Sequence, residues 1–239
     1  MAKLNKLNTQ FIEMTAADGG TFAAYLGIPA VTPAPALVLL PEVFNTNEHI
    51  REVVDGYVAD GFVVVAPDVY WRQEPGNYLP YTDAGREKAQ ALRAALDTDQ
   101  FCADLADIVA AVRERDDCTG KVGLLGFCLG GKFSYLAAAR VPIDASVGYY
   151  GVQIDEHLDE ADALKCPLLL HFASDDPHVP NATVEAVRAR IGARNDVDIH
   201  VYPDTEHGFN RFGYPSHHES AAATARTRTL SHFRTYLGT

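Results

Sequence analysis

Short apolar runs alternate along the chain with stretches in which apolar residues return every three or four positions. The runs at residues 36–40 and 62–66 contain no polar side chain, which is typical of parallel strands covered on both faces. Residues 47–60, between them, show a helical stripe of apolar positions, and Gly61 ends that helix. This alternation predicts an α/β fold with a mostly parallel sheet and helices on both faces.

The same two patterns predict the remaining elements. Loose alternation at residues 10–14 and 21–28, joined by a glycine-containing turn, predicts an opening antiparallel hairpin. Further strands are predicted at residues 121–125, 144–150, 167–173 and 197–202, and further helices at residues 84–96, 99–115, 132–139, 181–191 and 216–236. The sequence has no internal repeat and no long linker, so we expect one domain over residues 1–239 with about eight strands.

Composition narrows the class of partner. The net charge of −12 disfavours nucleic acid and anionic membranes, so an anionic substrate must be met by local arginines. No stretch approaches the roughly 20 apolar residues of a membrane span, and the first residues lack the apolar segment of a signal peptide. We therefore expect a cytoplasmic monomer with a small-molecule substrate and with no nucleic-acid or membrane partner.

The cysteines and histidines do not follow the spacing of metal sites. No CxxC, HxH or HExxH sequence occurs. The cysteines are Cys102, Cys118, Cys128 and Cys166. This distribution argues against a zinc site and against a disulfide framework, and it predicts neither a metal nor a cofactor. His171 lies inside a predicted strand, and we expect it to be a packing residue.

One short motif, residues 126–131 (GFCLGG), joins the end of a strand to the start of a helix. It predicts a sharp strand–turn–helix with Cys128 at its apex, the pattern known as a nucleophile elbow. The flanking glycines keep side-chain bulk away from a strained backbone position, and the N-terminus of the helix favours a thiolate. The alternative is a buried cysteine beside glycines that pack the helix, and the motif by itself leaves both readings open.

Two later loops supply the partners of a cysteine nucleophile, which are a base and a group that orients the base. The loop after strand 167–173 contains Asp175 and Asp176, and the loop after strand 197–202 contains His207. The order nucleophile, acid, histidine is that of enzymes built on this elbow. This order favours catalysis over a structural cysteine. Spacing does not choose between the two aspartates, and either is also suited to a turn or a helix cap.

Beyond these motifs, the chain resembles the dienelactone hydrolase family of α/β hydrolases over nearly its whole length. The blocks that carry the resemblance are residues 41–44 (PEVF), 67–73 (PDVYWRQ), 86–87 (RE), 126–131 (GFCLGG), 148–151 (GYYG), 176–180 (DPHVP) and 207–211 (HGFNR). The resemblance implies an α/β-hydrolase fold and a triad of Cys128, Asp176 and His207. It also implies an oxyanion hole formed by the backbone N–H groups of Val43 and Leu129, which agrees with the general design of such sites.

The resemblance implies further roles for charged residues around the nucleophile. A glutamate at the position of Glu42 holds the resting cysteine as a neutral thiol and takes its proton when substrate arrives, which limits oxidation of the sulfur. Arg86 and Arg211 match two arginines that bind a substrate carboxylate through paired hydrogen bonds. These two arginines would supply the local positive charge that an anionic substrate needs in a protein with a net charge of −12.

Three further positions affect the expected substrate site. Gly208 departs from the family pattern, in which a serine beside the histidine adds a hydroxyl group to the carboxylate site. Trp71 and Tyr149 are candidates for the apolar walls of the site, and a place in the core is the alternative for both.

These roles predict a hydrolase that opens a small carboxylate-bearing lactone, dienelactone to maleylacetate in aromatic catabolism, through a cysteine acyl-enzyme. A broader carboxylesterase or thioesterase acting on small esters is the first alternative, and a non-catalytic ligand-binding or redox-responsive protein is the second. If activity on a carboxylate-bearing lactone depends on Arg86 more than activity on a neutral ester does, the prediction is favoured over the general esterase. If a lactone acylates Cys128, the prediction is favoured over the non-catalytic protein.

Overall fold

Eight strands form one sheet in the computed structural model, which describes residues 8–238. In chain order the strands are β1 (Asn8–Thr15), β2 (Thr21–Ile28), β3 (Ala34–Leu40), β4 (Val63–Pro67), β5 (Cys118–Phe127), β6 (Ala145–Tyr149), β7 (Leu168–Ala173) and β8 (Val197–Tyr202). Across the sheet their order is β1-β2-β4-β3-β5-β6-β7-β8. The pairs β1–β2 and β2–β4 are antiparallel, and every later pair is parallel. The predicted α/β fold with an opening hairpin is confirmed.

The parallel strands fix where a site can form. Their carboxyl ends meet at one edge of the sheet, where open α/β sheets bind ligands. The loops after β3, β5, β7 and β8 therefore converge on one region. Most of the predicted site residues lie on or directly after these loops, whereas Arg86 and Trp71 follow β4 and Tyr149 ends β6.

Five helices lie between strands in sequence, and a sixth follows the last strand. They are α1 (Glu48–Ala59), α2 (Asp83–Ala94), α3 (Thr98–Arg113), α4 (Leu129–Arg140), α5 (Asn181–Ile191) and α6 (Glu219–Phe233). Asn47 caps α1 by accepting a hydrogen bond from the N–H of Ile50 at 3.1 Å, as expected for an N-cap asparagine. Helix α4 is buried along nearly its whole length, which fits its apolar sequence and its place directly after the central strand β5.

Most predicted boundaries differ slightly from the observed ones, and two of these differences have a clear structural cause. The strand predicted at residues 144–150 ends at Tyr149, because Tyr150 has a φ of 37° and leaves the extended conformation. The closing helix predicted at residues 216–236 begins at Glu219, because the N–H of His218 donates to the carbonyl oxygen of Phe209 and ties that segment to the preceding loop. A π-helical turn, Arg234–Gly238, follows α6.

The described residues include no helix that is long and apolar enough to cross a bilayer. Residues 1–7, which belong to the segment that lacks signal-peptide character, lie outside the described residues.

Candidate active site

Cys128 stands between β5 and α4 in a backbone conformation that non-glycine residues rarely adopt. Its φ is 55° and its ψ is −108°. Such a conformation is strained and persists only where the surroundings hold it. The N–H of Cys128 donates to the carbonyl oxygen of Tyr149 at 3.0 Å, and the N–H of Gly130 donates to the carbonyl oxygen of Pro41 at 3.1 Å. These bonds hold the turn against β6 and the end of β3.

The glycines of the turn are required by close approaches of the backbone. A Cβ on Gly126 would overlap the carbonyl oxygen of Gly130, and a Cβ on Gly130 would overlap the carbonyl oxygen of Leu40. Neither contact is relieved by moving a flexible side chain. The motif therefore adopts the nucleophile-elbow geometry, with the cysteine at its apex and 8% exposed.

His207 and Asp176 meet beside the elbow. The Nδ1 atom of His207 lies 2.7 Å from Oδ2 of Asp176, whose side chain is fully buried. The other oxygen of Asp176 accepts hydrogen bonds from the N–H groups of His178 and Val179 at 2.7 and 3.1 Å. The carboxylate is thus held in one orientation by its own loop. Asp175, in contrast, is exposed and accepts a hydrogen bond from Ser174.

The protonation of His207 is coupled to the sulfur. Burial alone would lower the pKa of His207, but the charge of Cys128, with hydrogen bonds to Asp176 and Cys128, raises it to about 10. This increase depends on a negatively charged sulfur. When the sulfur of Cys128 is neutral, the largest cause of the raised pKa of His207 is absent. The imidazole therefore binds its proton more tightly when Cys128 is charged than when it is neutral.

Two backbone N–H groups beside Cys128 are free to bind an oxyanion. Among residues 8–238, neither Val43 nor Leu129 donates its N–H to a protein acceptor, since Leu129 opens α4 and has no intrahelical partner. The carbonyl oxygen of Val43 accepts a hydrogen bond from the hydroxyl of Tyr70 at 2.9 Å, which holds this residue on the side away from its N–H group. The expected oxyanion residues therefore lie on the two loops that flank the nucleophile.

Glu42 is 2% exposed and lies between Arg211 and two tyrosines. Its Oε1 atom accepts hydrogen bonds from Arg211 at 2.6 Å and from Tyr150 at 3.2 Å, and its Oε2 atom accepts one from Tyr81 at 2.9 Å. Burial would raise the pKa of Glu42, but the charge and hydrogen bond of Arg211, together with His207 and Tyr81, lower it. Glu42 is therefore ionised here, and within the described chain its hydrogen bonds go to these groups rather than to Cys128.

Gly208 shapes the surroundings of Arg211. Its φ is 80°, and a Cβ at this position would lie 2.8 Å from Nη2 of Arg211 and 3.2 Å from Oγ of Ser216. A serine would therefore be strained and would crowd the guanidinium group. The hydroxyl of Ser216, which donates to the carbonyl oxygen of Gly208 at 3.1 Å, lies close to where that serine's side chain would be.

A cavity of about 420 Å³ joins these groups. Its lining includes Cys128, His207, Glu42, Val43 and Arg211. Arg86 lines it from α2 and is exposed, with its guanidinium 5.9 Å from the ring centroid of Phe44. The structure thus brings the expected nucleophile, base and arginines to one space. Within residues 8–238, no cluster of three or more His, Cys, Asp or Glu side chains has the arrangement of a metal site.

Trp71 and Tyr149 are not walls of this cavity, and their expected role is corrected. Trp71 stacks on Phe22 with ring centroids 5.1 Å apart, against the opening hairpin. Tyr149 is 1% exposed, and its hydroxyl hydrogen-bonds to Thr229 at 2.7 Å. Tyr149 is therefore a core residue, and Trp71 is a partly buried residue that packs against the core.

Several cavity residues were not predicted from the sequence. Arg93, Gln153 and His178 line the cavity, while Tyr81 and Tyr150 contact Glu42 from behind. The spacing of Arg86, Gln90 and Arg93 on α2 places them on one helical face and is the signal by which Arg93 could have been found. The tyrosines carry no comparable signal, because aromatic residues are equally common in cores.

The sequence of this chain is similar to those of known enzymes over nearly its whole length. The family model for the "Dienelactone hydrolase family" matches residues 22–237. Carboxymethylenebutenolidase of Pseudomonas putida is 37% identical over 223 residues, which are 93% of this chain and 94% of that protein. Carboxymethylenebutenolidase 1 of Cupriavidus pinatubonensis is 34% identical over 220 residues, which are 92% of this chain and 94% of that protein.

Solved structures agree with the sequence matches. A candidate dienelactone hydrolase from Klebsiella pneumoniae has a TM-score of 0.87 and 27% identity, with 97% of this chain and 100% of that chain covered. The family model and the relatives agree with the resemblance seen in the sequence. The protein is a hydrolase that belongs to the dienelactone hydrolase family.

Proposed function

We propose that this protein opens a small lactone that bears a carboxylate, with dienelactone as substrate and maleylacetate as product. The observation that carries the proposal is the meeting, in one cavity, of Cys128 on a nucleophile elbow, the His207–Asp176 pair and Arg211. The carboxymethylenebutenolidase activity named for the relatives supports the same substrate class.

The substrate carboxylate binds between Arg86 and Arg211. The Nε–H of Arg211 is buried without a hydrogen-bond partner among the described residues, and such a donor gains free energy when an anion reaches it. Arg86 forms no ion pair within residues 8–238 and lines the same cavity. The hydroxyl of Ser216 lies next to the space that a serine at position 208 would fill, and it reaches a substrate carboxylate only by giving up its hydrogen bond to the carbonyl oxygen of Gly208.

Glu42 acts as the proton acceptor for the thiol once the substrate carboxylate has drawn Arg211 away. While Arg211 is bound, the pKa of Glu42 is low and the carboxylate is a poor base. When that interaction is lost, burial prevails and raises the pKa, so Glu42 becomes able to take the proton of Cys128. The substrate thereby generates its own nucleophile, and the resting sulfur remains a neutral thiol.

The reaction then proceeds through an acyl-enzyme. The sulfur of Cys128 attacks the lactone carbonyl as its proton leaves, and the N–H groups of Val43 and Leu129 bind the oxyanion. Collapse of the oxyanion breaks the ring C–O bond and releases an enolate, which gains a proton and becomes the ketone. The acylated sulfur carries no charge, so His207 is neutral and, oriented by Asp176, takes a proton from the water that cleaves the thioester.

A small neutral ester is the alternative substrate. Arg211 is already paired with Glu42, so the cavity does not require a second anion to balance its charge. A general carboxylesterase or thioesterase would use the same nucleophile without the arginine clamp. The dependence of activity on Arg86 decides between these two functions.

The nucleophile is tested by Cys128→Ala. We expect hydrolysis of dienelactone to fall by roughly 10⁴-fold, because only binding and oxyanion stabilisation remain, with an unchanged far-UV circular dichroism spectrum. Cys166→Ala is the matched control, since Cys166 is buried just before β7, at the opposite edge of the sheet. Turnover by the Cys128 variant at the wild-type rate would overturn the mechanism.

The carboxylate clamp is tested by Arg86→Gln. We expect kcat/KM for dienelactone to fall about 10- to 100-fold, as for loss of one charge-assisted contact, and kcat/KM for a neutral 4-nitrophenyl ester to change less than threefold. Arg188→Gln, an exposed substitution on α5, controls for the change in net charge. An equal loss on both substrates would point to the neutral-ester function instead.

A further inference from the structure

A second, polar cleft lies next to the catalytic cavity. It has a volume of about 360 Å³ and shares Gln90, Arg93 and Gln153 with that cavity. The remainder of its lining includes Lys132 and Leu129 at the start of α4. We call it the basic cleft, because Arg93 and Lys132 are its two charged lining residues.

Lys132 in this cleft is a buried cation without a carboxylate partner. It is 8% exposed, and its Nζ atom has a single hydrogen bond in the described chain, at 3.5 Å to Oγ1 of Thr98. No carboxylate within residues 8–238 lies within 4.0 Å of it, although the charge of exposed Glu156 acts on it from farther away. Burial lowers the pKa of Lys132, and a bound anion would offset that cost.

Arg93 is likewise engaged only by neutral groups. Its guanidinium donates to Oε1 of Gln153 at 2.6 Å and to Oε1 of Gln90 at 3.3 Å. Gln153, which has a φ of 57°, donates in turn to both carboxylate oxygens of Glu156 at 3.0 Å. Two cations therefore face one cleft, and the nearest acid is already bound by an amide.

The position of the basic cleft relates it to the substrate. Arg93 follows Arg86 by seven residues on α2, which separates the two by roughly 10 Å along the helix axis. Leu129, the expected oxyanion donor, lines the cleft, so the cleft adjoins the reacting carbonyl. A ligand with anionic groups at both ends can reach Arg86 and Arg211 with one and the basic cleft with the other.

We propose that the basic cleft is a subsite for a second carboxylate of the substrate, so that the protein prefers lactones or esters that carry two carboxylates. The proposal rests on the proposed function, because the first carboxylate occupies Arg86 and Arg211. Arg93 and Lys132 bind the second through charge-assisted hydrogen bonds. A neutral ester tail forms no charge-assisted hydrogen bond there, and it leaves the buried Lys132 and the half-buried Arg93 without an anionic partner.

Calorimetric titration of the wild-type protein with nonanedioate and with nonanoate tests the subsite. The two ligands have the same chain length, and the extended diacid matches the roughly 10 Å separation along α2. We expect the diacid to bind about tenfold more tightly than the monoacid, as for one additional charge-assisted contact. Lys132→Met and Arg93→Gln should each reduce this ratio to about two, whereas Lys165→Met, an exposed control of equal charge change, should retain it.

The outcomes separate the subsite from the proposed function. Equal affinities for both acids in the wild type, or a ratio that survives both cleft substitutions, would overturn the subsite. Binding of inorganic phosphate that Lys132→Met abolishes, without any advantage of the diacid, would also overturn it by marking an independent anion site. The unfolding temperature of each variant shows whether it folds. If Lys132→Met does not fold, Arg93→Gln alone tests the subsite. The proposed function is tested by a separate measurement, and it fails if the wild-type protein does not hydrolyse dienelactone.

Discussion

At the scale of single residues, Gly208 shows how one backbone position adjusts the carboxylate site. Its φ of 80° suits glycine, and the space that a side chain would fill is occupied by Arg211 and by the hydroxyl of Ser216. Where the family pattern has a serine side chain, this chain therefore has the hydroxyl of Ser216, from the same loop. Arg211 in this position reaches Glu42, which links the substrate clamp to the proposed proton acceptor.

Gly208→Ala and Gly213→Ala form a matched pair of variants. Both positions have a φ of 80°, but a Cβ at Gly213 would have no atom within 4 Å. We expect each variant to lose about 1 kcal/mol of unfolding free energy from backbone strain, measured by urea denaturation. Only Gly208→Ala should also raise KM for dienelactone, because the added methyl group displaces Arg211. Equal KM values for the two variants would contradict this account of the site.

The guarded thiol predicts how Cys128 reacts with iodoacetamide. Without ligand we expect slow alkylation at neutral pH, and a small carboxylate ligand should accelerate it severalfold, because release of Arg211 raises the proton affinity of Glu42. A resting thiolate paired with a His207 cation would behave differently. Alkylation would then already be fast at neutral pH without ligand, and ligand would only slow it.

At the scale of elements, the aromatic loop after β4 supports the site instead of lining it. Asp68, which is 1% exposed, accepts hydrogen bonds from the side chain of Asn45 at 2.6 Å and from the N–H groups of Tyr70 and Gly76 at 3.0 and 2.7 Å. The N–H of Leu79 donates to the carbonyl oxygen of Phe44 at 2.9 Å. The loop is thus fastened to the turn that carries Glu42 and Val43.

Asp68→Ala is expected to destabilise both loops together. It removes the acceptor of three donors, of which those on Asn45 and Tyr70 belong to buried residues, and this should cost about 3 kcal/mol of unfolding free energy in chemical denaturation. Because the hydroxyl of Tyr70 holds the carbonyl group of Val43, a shift of this loop should also move the N–H of Val43, and kcat for dienelactone should fall. Asp83→Ala, in the exposed first turn of α2, is the control and should cost less than about 1 kcal/mol. A fully active and stable Asp68 variant would show that the loop is independent of the site.

At the scale of the whole molecule, buried histidines make folding sensitive to acid. Burial lowers the pKa of His171 far below its usual value and that of His232 to about 4. The nitrogens of His171 are hydrogen-bonded to Tyr202 and Thr229 in the core, at 2.9 and 3.1 Å. Both rings are therefore neutral in the folded protein over a range in which an unfolded histidine is charged.

The sign of the effect follows from proton binding. Below about pH 6.5 the unfolded chain takes up protons that the folded chain excludes, so the unfolding free energy falls as the pH drops towards 4. His232→Gln should remove about 3 kcal/mol of that decline, from the difference between the two pKa values, and His217→Gln is the control. Urea denaturation at several pH values measures it. An unchanged slope in the His232 variant would contradict the assignment.

The fold and the order of the site residues were predictable because they depend on local patterns. Apolar runs bury both faces of a strand wherever they occur, and the GFCLGG motif defines a turn whose glycines have no alternative. The sequence also placed Asp176 and His207 after strands whose ends meet at one edge. Boundaries failed where tertiary hydrogen bonds act, as at His218 and Tyr150.

Local patterns in the sequence were enough to predict an α/β fold, an elbow with Cys128 at its apex and a set of charged candidates, but they did not predict which of these groups are in contact. Whether Trp71 lines a cavity or fills the core, and whether Glu42 faces Arg211 or the thiol, depends on packing between segments far apart in the chain. The same is true of Arg93 and Lys132, whose common cleft arises because α2 and α4 are neighbours in space. Local patterns encode elements, while contacts between elements arise from close packing of the whole chain.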